Sequence, residues 1–322
     1  MRDRGLKPPG PEPHTVGMLP DLFPGFAAET LSPAGVPLFV RLGGRGPALL
    51  LLHGHPQTHA MWHRVAPALA RHFSLVIPDL RGYGRSARVA APDGGSDPAA
   101  YARRVQAAEL HALMRALGHG RCGVLAHDRG ARVAHRLALD QPAAVQRLML
   151  LDIAPTLAMY ERAGDAFARA YWHWFFLIQP PPLPERLIEA DPEAYLRDVM
   201  GRRHAGLAAF DAAAWADYAA GIRRPGSAQA VCDDYRAAAG IDLAHDRDGR
   251  ARGERLRQPL AVRWAAHGAV GRCFDVPALW REAVADPARL DARALDCGHY
   301  IAEEQPEALL ADALPFFRPL ET

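Results

Sequence analysis

Four short apolar runs, ALLLLHG, FSLVIPD, CGVLAHD and VQRLMLLDI, follow one another at intervals that leave room for helices between them. Each run is unbroken rather than alternating, as strands are when both faces of their sheet are covered. The segment AAYARRVQAAELHALMRALG between two of them has helical character, so the pattern predicts an α/β fold with a mostly parallel central sheet flanked by helices. Ahead of these runs, ETLSPAGVPLFVRLGG reads as a hairpin turning near Pro33 to Gly35. Near the C-terminus LAVRWAA and RLDARALD supply two more strands, and PEALLADALPFFRPL a closing helix.

Between the two sheet-forming parts, roughly residues 156–255, the pattern becomes helical without a clear strand, interrupted by QPPPLP and the charged stretch AHDRDGRARGERLRQP. An all-helical insertion between strands reads as a cap over their carboxyl ends, where ligands bind in open α/β sheets. The expected organisation is a mobile tail over 1–20, a first core part over 21–155, the cap over 156–255 and a second core part over 256–322.

The chain has 322 residues, 49% of them hydrophobic, which suffices for a sizeable core. Its formal charge is +2, from 38 Lys+Arg against 36 Asp+Glu, so neither nucleic acid nor an anionic membrane is an expected partner. Lys7 is the only lysine, a bias that makes any single arginine weaker evidence of function. Cys122, Cys232, Cys273 and Cys297 lie far apart with no metal-finger spacing, so a cytoplasmic setting without disulfides is expected. The start, MRDRGLKPPGPEPHTVGMLPDLF, lacks the apolar core of a signal peptide, and no run approaches the ~20 apolar residues of a membrane span.

VLAHDRGARVAH reads as strand, tight turn and helix, with Asp128 at the turn and small residues, Ala126 and Gly130, two positions to either side. A nucleophile elbow needs such small neighbours so that the backbone can double back; an ordinary helix-capping aspartate is the alternative. A carboxylate nucleophile forms an alkyl ester by displacing a leaving group from carbon, and a histidine-activated water must then hydrolyse it. LDCGHYIAEEQP places His299 in a loop after the last strand, where that base belongs. The histidine needs an acid to hold its tautomer. The loop HGAVGR after LAVRWAA has none, whereas LMLLDIAP puts Asp152 at the end of the strand following the elbow, with helix capping or a surface position as the alternatives.

Arg129 and Arg132, three apart, share a face within the first turn of the helix that starts at the elbow. Positive charge is unfavourable there, and a bound carboxylate would relieve it through bidentate guanidinium contacts; pairing with the protein's own acids is the alternative. In the cap, ARAYWHWFFLIQPPP carries His173 and Trp174 on a helix apolar nearly all round, and CDDYRAAAG adds Tyr235. An aromatic run of this kind is commonly cap core. Yet indole, imidazole and phenol donors in an apolar enclosure are also what a departing halide needs. Backbone N–H groups around His55, in HGHPQTHAMW, face the ester carbonyl as an oxyanion hole in this reading. His53, His55, His59 and His63 lack the pattern of a metal site, so neither metal nor cofactor is expected.

HGHPQTHAMW, DLRGYGRS, HDRGAR, LDIAPT, ARAYWHWFFLIQPPPLPE, CDDYR and GHYIAEEQP occur here in one order. On these motifs the chain resembles the α/β-hydrolase superfamily and, within it, closely resembles the fluoroacetate (haloacetate) dehalogenases. The likeness runs from about residue 35 to the end and omits VAAPDGGSDPAAY. The first two motifs are shared with epoxide hydrolases; HDRGAR together with YWHW is more specific. The resemblance implies Asp128 as nucleophile, His299 as base and Asp152 as its acid, with Arg129 and Arg132 holding a substrate carboxylate and His173, Trp174 and Tyr235 binding halide. The implied activity is hydrolytic dehalogenation of short 2-haloalkanoic acids, fluoroacetate or chloroacetate, to the 2-hydroxy acid. Relatives are often homodimers, and the resemblance extends that expectation here. Where relatives tend to carry a tryptophan in the mid-cap pocket wall, VMGRRHAGLAAF places Arg203, which leaves open bulkier 2-haloacids or dechlorination without defluorination. The alternatives are an epoxide hydrolase with the same elbow aspartate, against which Arg129 speaks, and a non-catalytic binder of small carboxylates.

Overall fold

The apolar runs become strands. In the computed structural model, which describes residues 21–321 and so leaves the expected tail over 1–20 outside, β1 (Ala27–Leu31) and β2 (Leu38–Gly44) form the hairpin. The four runs form β3 (Ala48–Leu52), β4 (Ser74–Pro78), β5 (Cys122–His127) and β6 (Val145–Leu151), and the late pair forms β7 (Leu260–Ala265) and β8 (Leu290–Leu295). Every residue of β3 and β5 is buried, as unbroken apolar composition demands of central strands. One sheet results, in the order β1-β2-β4-β3-β5-β6-β7-β8. β2 runs antiparallel to both neighbours, and all later pairs are parallel.

Register decides where the chemistry sits. Leu52 lies opposite Ala126, and Leu151 opposite both His127 and Arg263. The residues that leave these strands, His53, Asp128 and Asp152, therefore emerge together at the carboxyl edge. On the core, α1 (Ala66–Leu69) follows β3, while α2 (Arg103–Ala116) and α3 (Asp128–Asp140) pack against each other.

Between β6 and β7 the described residues form eight α-helices and no strand. These are α4 (Thr156–Glu161), α5 (Asp165–Ala170), α6 (Trp172–Leu177), α7 (Leu183–Ala190), α8 (Pro192–Gly201), α9 (Ala212–Ile222), α10 (Ser227–Ala239) and α11 (Ile241–Ala251). The core resumes with β7, α12 (Ala269–Cys273), α13 (Val276–Ala283), β8, α14 (Ile301–Glu304) and the closing helix α15 (Pro306–Phe317).

One element departs from its sequence pattern. The aromatic stretch expected as a single helix breaks at Tyr171, whose φ of −115° and ψ of 37° end α5 before α6 begins. A continuous helix apolar all round would leave bulky rings in water on its outer side. The break instead buries Tyr171, His173 and Trp174 and leaves Phe175 and Phe176 only partly covered.

Ion pairs and hydrogen bonds fasten the cap to the core. The backbone N–H of Arg103 donates to Asp242 Oδ1 at 2.9 Å, and its guanidinium reaches Asp246 at 3.1 Å. Among the described residues, no helix is long and apolar enough to cross a membrane.

Candidate active site

Asp128 is the hinge between β5 and α3, with φ of +45°. A left-handed conformation costs a non-glycine residue about 1–2 kcal/mol, and the surrounding packing holds it in place. The N–H of Gly130 donates to His53 O at 2.9 Å, and a Cβ at 130 would lie 2.3 Å from that same oxygen, so α3 presses directly on the end of β3. A Cβ on Gly54 would lie 2.4 Å from Asp128 Cβ, which explains a second small residue at the turn. His127 occupies the helix-capping position and Asp128 is the first helical residue. Its Oδ1 accepts the His55 backbone N–H at 3.0 Å, so the carboxylate is turned towards the loop after β3 instead of capping its own helix. Burial pushes this carboxyl up, but His299, His127, Arg132 and Arg129 outweigh it and hold it well below the usual carboxylate range.

Asp152 has the same backbone signature at the end of β6, with φ of +50°. Its Oδ2 accepts His299 Nδ1–H at 2.5 Å and its Oδ1 accepts the Ala265 N–H at 2.9 Å. It is buried, so the surface and capping alternatives are gone and the His299 tautomer is set by a fixed acid. His299 follows β8, and its carbonyl accepts His127 Nε2–H at 2.8 Å. Burial and the neighbouring His299 push His127 down to about 4, so it stays neutral and serves to place the loop.

The two arginines of α3 meet different fates. Arg129 grips Asp234 of α10: Nε donates to Oδ2 at 2.7 Å, and Nη2 donates to Oδ1 at 2.6 Å and to the backbone carbonyl at 2.7 Å. For this residue the alternative of pairing with the protein's own acid is realised, yet Nη1 remains buried without a partner among the described residues. Arg132 meets no described carboxylate; Nη1 donates to Thr156 Oγ1 at 2.8 Å and to Ala154 O at 3.3 Å, and Nε is unpartnered. Burial pushes it down to about 10, against the pull of Asp128.

Above the nucleophile the cap supplies rings. Arg129 stands over Tyr235 at 4.5 Å and Arg132 over Trp174 at 4.7 Å, while the His173 and Tyr235 centroids lie 5.9 Å apart. Trp174 Nε1 and Tyr235 Oη are buried without partners among the described residues. Burial drives the Tyr235 phenol well up and the His173 imidazole well down, so both are neutral donors. A 480 Å3 cavity opens beside them, lined by His173, Arg203, Gly268 and His299 among others.

Asp234, Tyr195 and Tyr171 join the site without a signal of their own in the sequence. Tyr195 Oη and His55 Nε2 are 2.9 Å apart, and Tyr171 lies beside both His173 and His299. Asp234 lies in CDDYR, where nothing local distinguishes it from Asp233, which accepts the Asp97 N–H and the Ser96 hydroxyl instead. The other histidines near the turn are scaffolding. His53 Nε2 accepts the Leu80 N–H at 2.9 Å, and His59 Nδ1 lies 2.9 Å from Asp79.

The family described as alpha/beta hydrolase fold matches residues 47–306. The chain is 38% identical to the fluoroacetate dehalogenase of a Burkholderia species, over 89% of this chain and 92% of that one. It is also 33% identical to the soluble epoxide hydrolase of Corynebacterium sp. strain C12, over 86% and 92% respectively. Among solved structures, ALR0039 from Nostoc sp PCC 7120 superposes with a TM-score of 0.84 at 44% identity, covering 90% of this chain and 97% of that one.

Proposed function

Because this chain belongs to the α/β-hydrolase fold family, in the clan of haloalkanoate dehalogenases and epoxide hydrolases, we propose that it hydrolyses short 2-haloalkanoic acids such as chloroacetate or fluoroacetate. The observation that carries this reading is a set of buried donors without partners among the described residues. Arg129 Nη1 and Arg132 Nε, beside the nucleophile, are what a carboxylate needs, and Trp174 Nε1 and Tyr235 Oη are what a leaving halide needs. An epoxide is neutral and gives a buried guanidinium no counter-charge.

In this mechanism the Asp128 carboxylate attacks the halogen-bearing carbon in line. A carbon–oxygen bond forms as the carbon–halogen bond breaks, and the halide leaves towards His173, Trp174 and Tyr235. His299, its Nδ1–H held by Asp152, then removes a proton from water, and the resulting hydroxide attacks the carbonyl carbon of the Asp128 ester. The His55 N–H that now meets Asp128 Oδ1 stabilises the oxyanion. Collapse breaks the ester bond, the His299 imidazolium returns its proton to the departing alkoxide to give the 2-hydroxy acid, and the Asp128 carboxyl group loses its proton to water, which restores the carboxylate. Enclosure by the cap strengthens each of these charge contacts.

Epoxide hydrolysis is the second reading, favoured by one observation: Tyr195 and Tyr235 both flank His55, at centroid distances of 6.0 and 5.3 Å, and Tyr235 Oη has no partner among the described residues. Two such hydroxyls would protonate an opening ring. Halide release measured in parallel on fluoroacetate, chloroacetate and 2-chloropropionate, with styrene oxide as control, separates the two. Halide without epoxide opening is expected; epoxide opening without halide transfers the assignment to the second reading. His299→Asn treated with chloroacetate should gain the mass of the ester on intact protein, and Asp128→Asn should not.

A further inference from the structure

Arginine is so abundant in this chain that most buried guanidiniums have found an acid. Arg103 has Asp242 and Asp246, Arg129 has Asp234 and Arg263 has Asp312. Even at the cavity rim, Arg202 pairs with Asp198 at 3.2 Å and Arg169 with Asp165 at 2.8 Å. Arg203, next along from Arg202, forms no ion pair with any described carboxylate, although it lines the same cavity as His173 and His299. It follows the end of α8, where its N–H donates to Met200 O at 3.3 Å. Its guanidinium stands 4.8 Å from the ring centre of Tyr171. That ring lies 5.4 Å from His173 and 6.4 Å from His299.

Arg132, which likewise pairs with no described carboxylate, stands over Trp174, and Trp174 meets Tyr171 edge to face at 5.6 Å. Two guanidiniums without a directly paired carboxylate among the described residues therefore flank one pair of touching rings, one beside Asp128 and one on the wall of the cavity. Burial works against the charge of Arg203, and Tyr171 and Tyr300 first, then Asp128 and Asp152, together favour it. The cavity measures 480 Å3. Asp128 does not line it; the cavity meets the site at His173 and His299, and a haloacetate held at Asp128, with about five heavy atoms at roughly 30 Å3 for each water-sized group, would leave most of that space unfilled.

Resting on the haloacid reading of this site, we infer that Arg203 is a specificity residue that receives a second anionic group at the far end of the substrate. The preferred substrates are then short 2-halodicarboxylates, of which 2-chlorosuccinate is the simplest probe. Their first carboxylate goes to Arg132 and Arg129, the halogen-bearing carbon to Asp128, and the distal carboxylate to Arg203 over the Tyr171 ring.

The test compares kcat/KM for 2-chlorosuccinate and 2-chloropropionate by halide release. A charge-assisted contact predicts a preference for the dicarboxylate of about tenfold or more. Arg203→Met should abolish that preference mainly through KM, and Arg203→Lys should keep part of it. Equal or slower turnover of the dicarboxylate by the wild type, or a preference that survives Arg203→Met, overturns the inference. Thermal shift with the inert acids succinate and propionate gives a readout independent of turnover. If no acid yields halide but succinate stabilises the wild type more than propionate, and Arg203→Met does not show this, the reaction assigned to the site fails while the role of Arg203 stands. If no acid yields halide and the two inert acids stabilise equally, both fail.

Discussion

At position 128 catalysis and conformation pull against each other. The proposed mechanism requires a carboxylate there, while a φ of +45° suits glycine better than any side chain. Replacing Asp128 separates the two demands. Asp128→Ala and Asp128→Gly should both lose turnover, yet the glycine variant should be the more stable by about 1 kcal/mol, because it removes the left-handed penalty that alanine keeps. Thermal or urea unfolding of the two proteins decides it, and an alanine variant that is equally stable would mean that the elbow is not strained. Asp152 obeys the same rule at +50°, so the second member of the charge array is also held at the expense of its backbone.

Between elements, the decisive join is α3 to α10. Asp234 receives Arg129 and also Tyr83 Oη–H at 2.9 Å, so Asp234→Asn would leave a buried guanidinium without a counter-charge. The expected loss is about 3–5 kcal/mol of stability, larger than for an exposed acid such as Asp198; denaturant titration of both variants measures it. This join also marks where reading the sequence stopped. The strands and their order of appearance were legible because unbroken apolar runs separated by helical segments admit few arrangements. The elbow was legible because Gly130 must be small where α3 meets β3. Arg129 and Asp234 lie 105 positions apart, and no periodicity records their meeting. The break at Tyr171 was hidden for another reason, since a stretch apolar on every side does not say which side will be buried. Arg203 stood out only against the tryptophan that relatives tend to carry, and its lack of an acid became visible only in the folded chain.

Across the whole molecule, Glu303 of α14 joins three parts. It accepts Gln57 from the loop after β3 and Tyr218 Oη–H from the cap helix α9, in the element next to His299. Burial raises its carboxyl from 4.5 to about 8, against the pull of those hydrogen bonds and of Arg64. Between these two values the folded protein keeps a proton that the unfolded chain has released, so stability falls as pH rises through the window. Glu303→Gln cannot ionise and should remove that slope. The melting temperature of the variant minus that of the wild type should therefore grow from pH 5 to pH 8, and a difference independent of pH would contradict the assignment. The grip of Arg129 on Asp234 has a further consequence, for ancestry and for engineering. The side chain beside the nucleophile is completed by an acid from the cap, so the two regions do not vary as interchangeable parts. A chimera that borrows its cap from a relative has to bring an acid to the place of Asp234 or give up Arg129 with it, and lineages that keep one of this couple should keep the other.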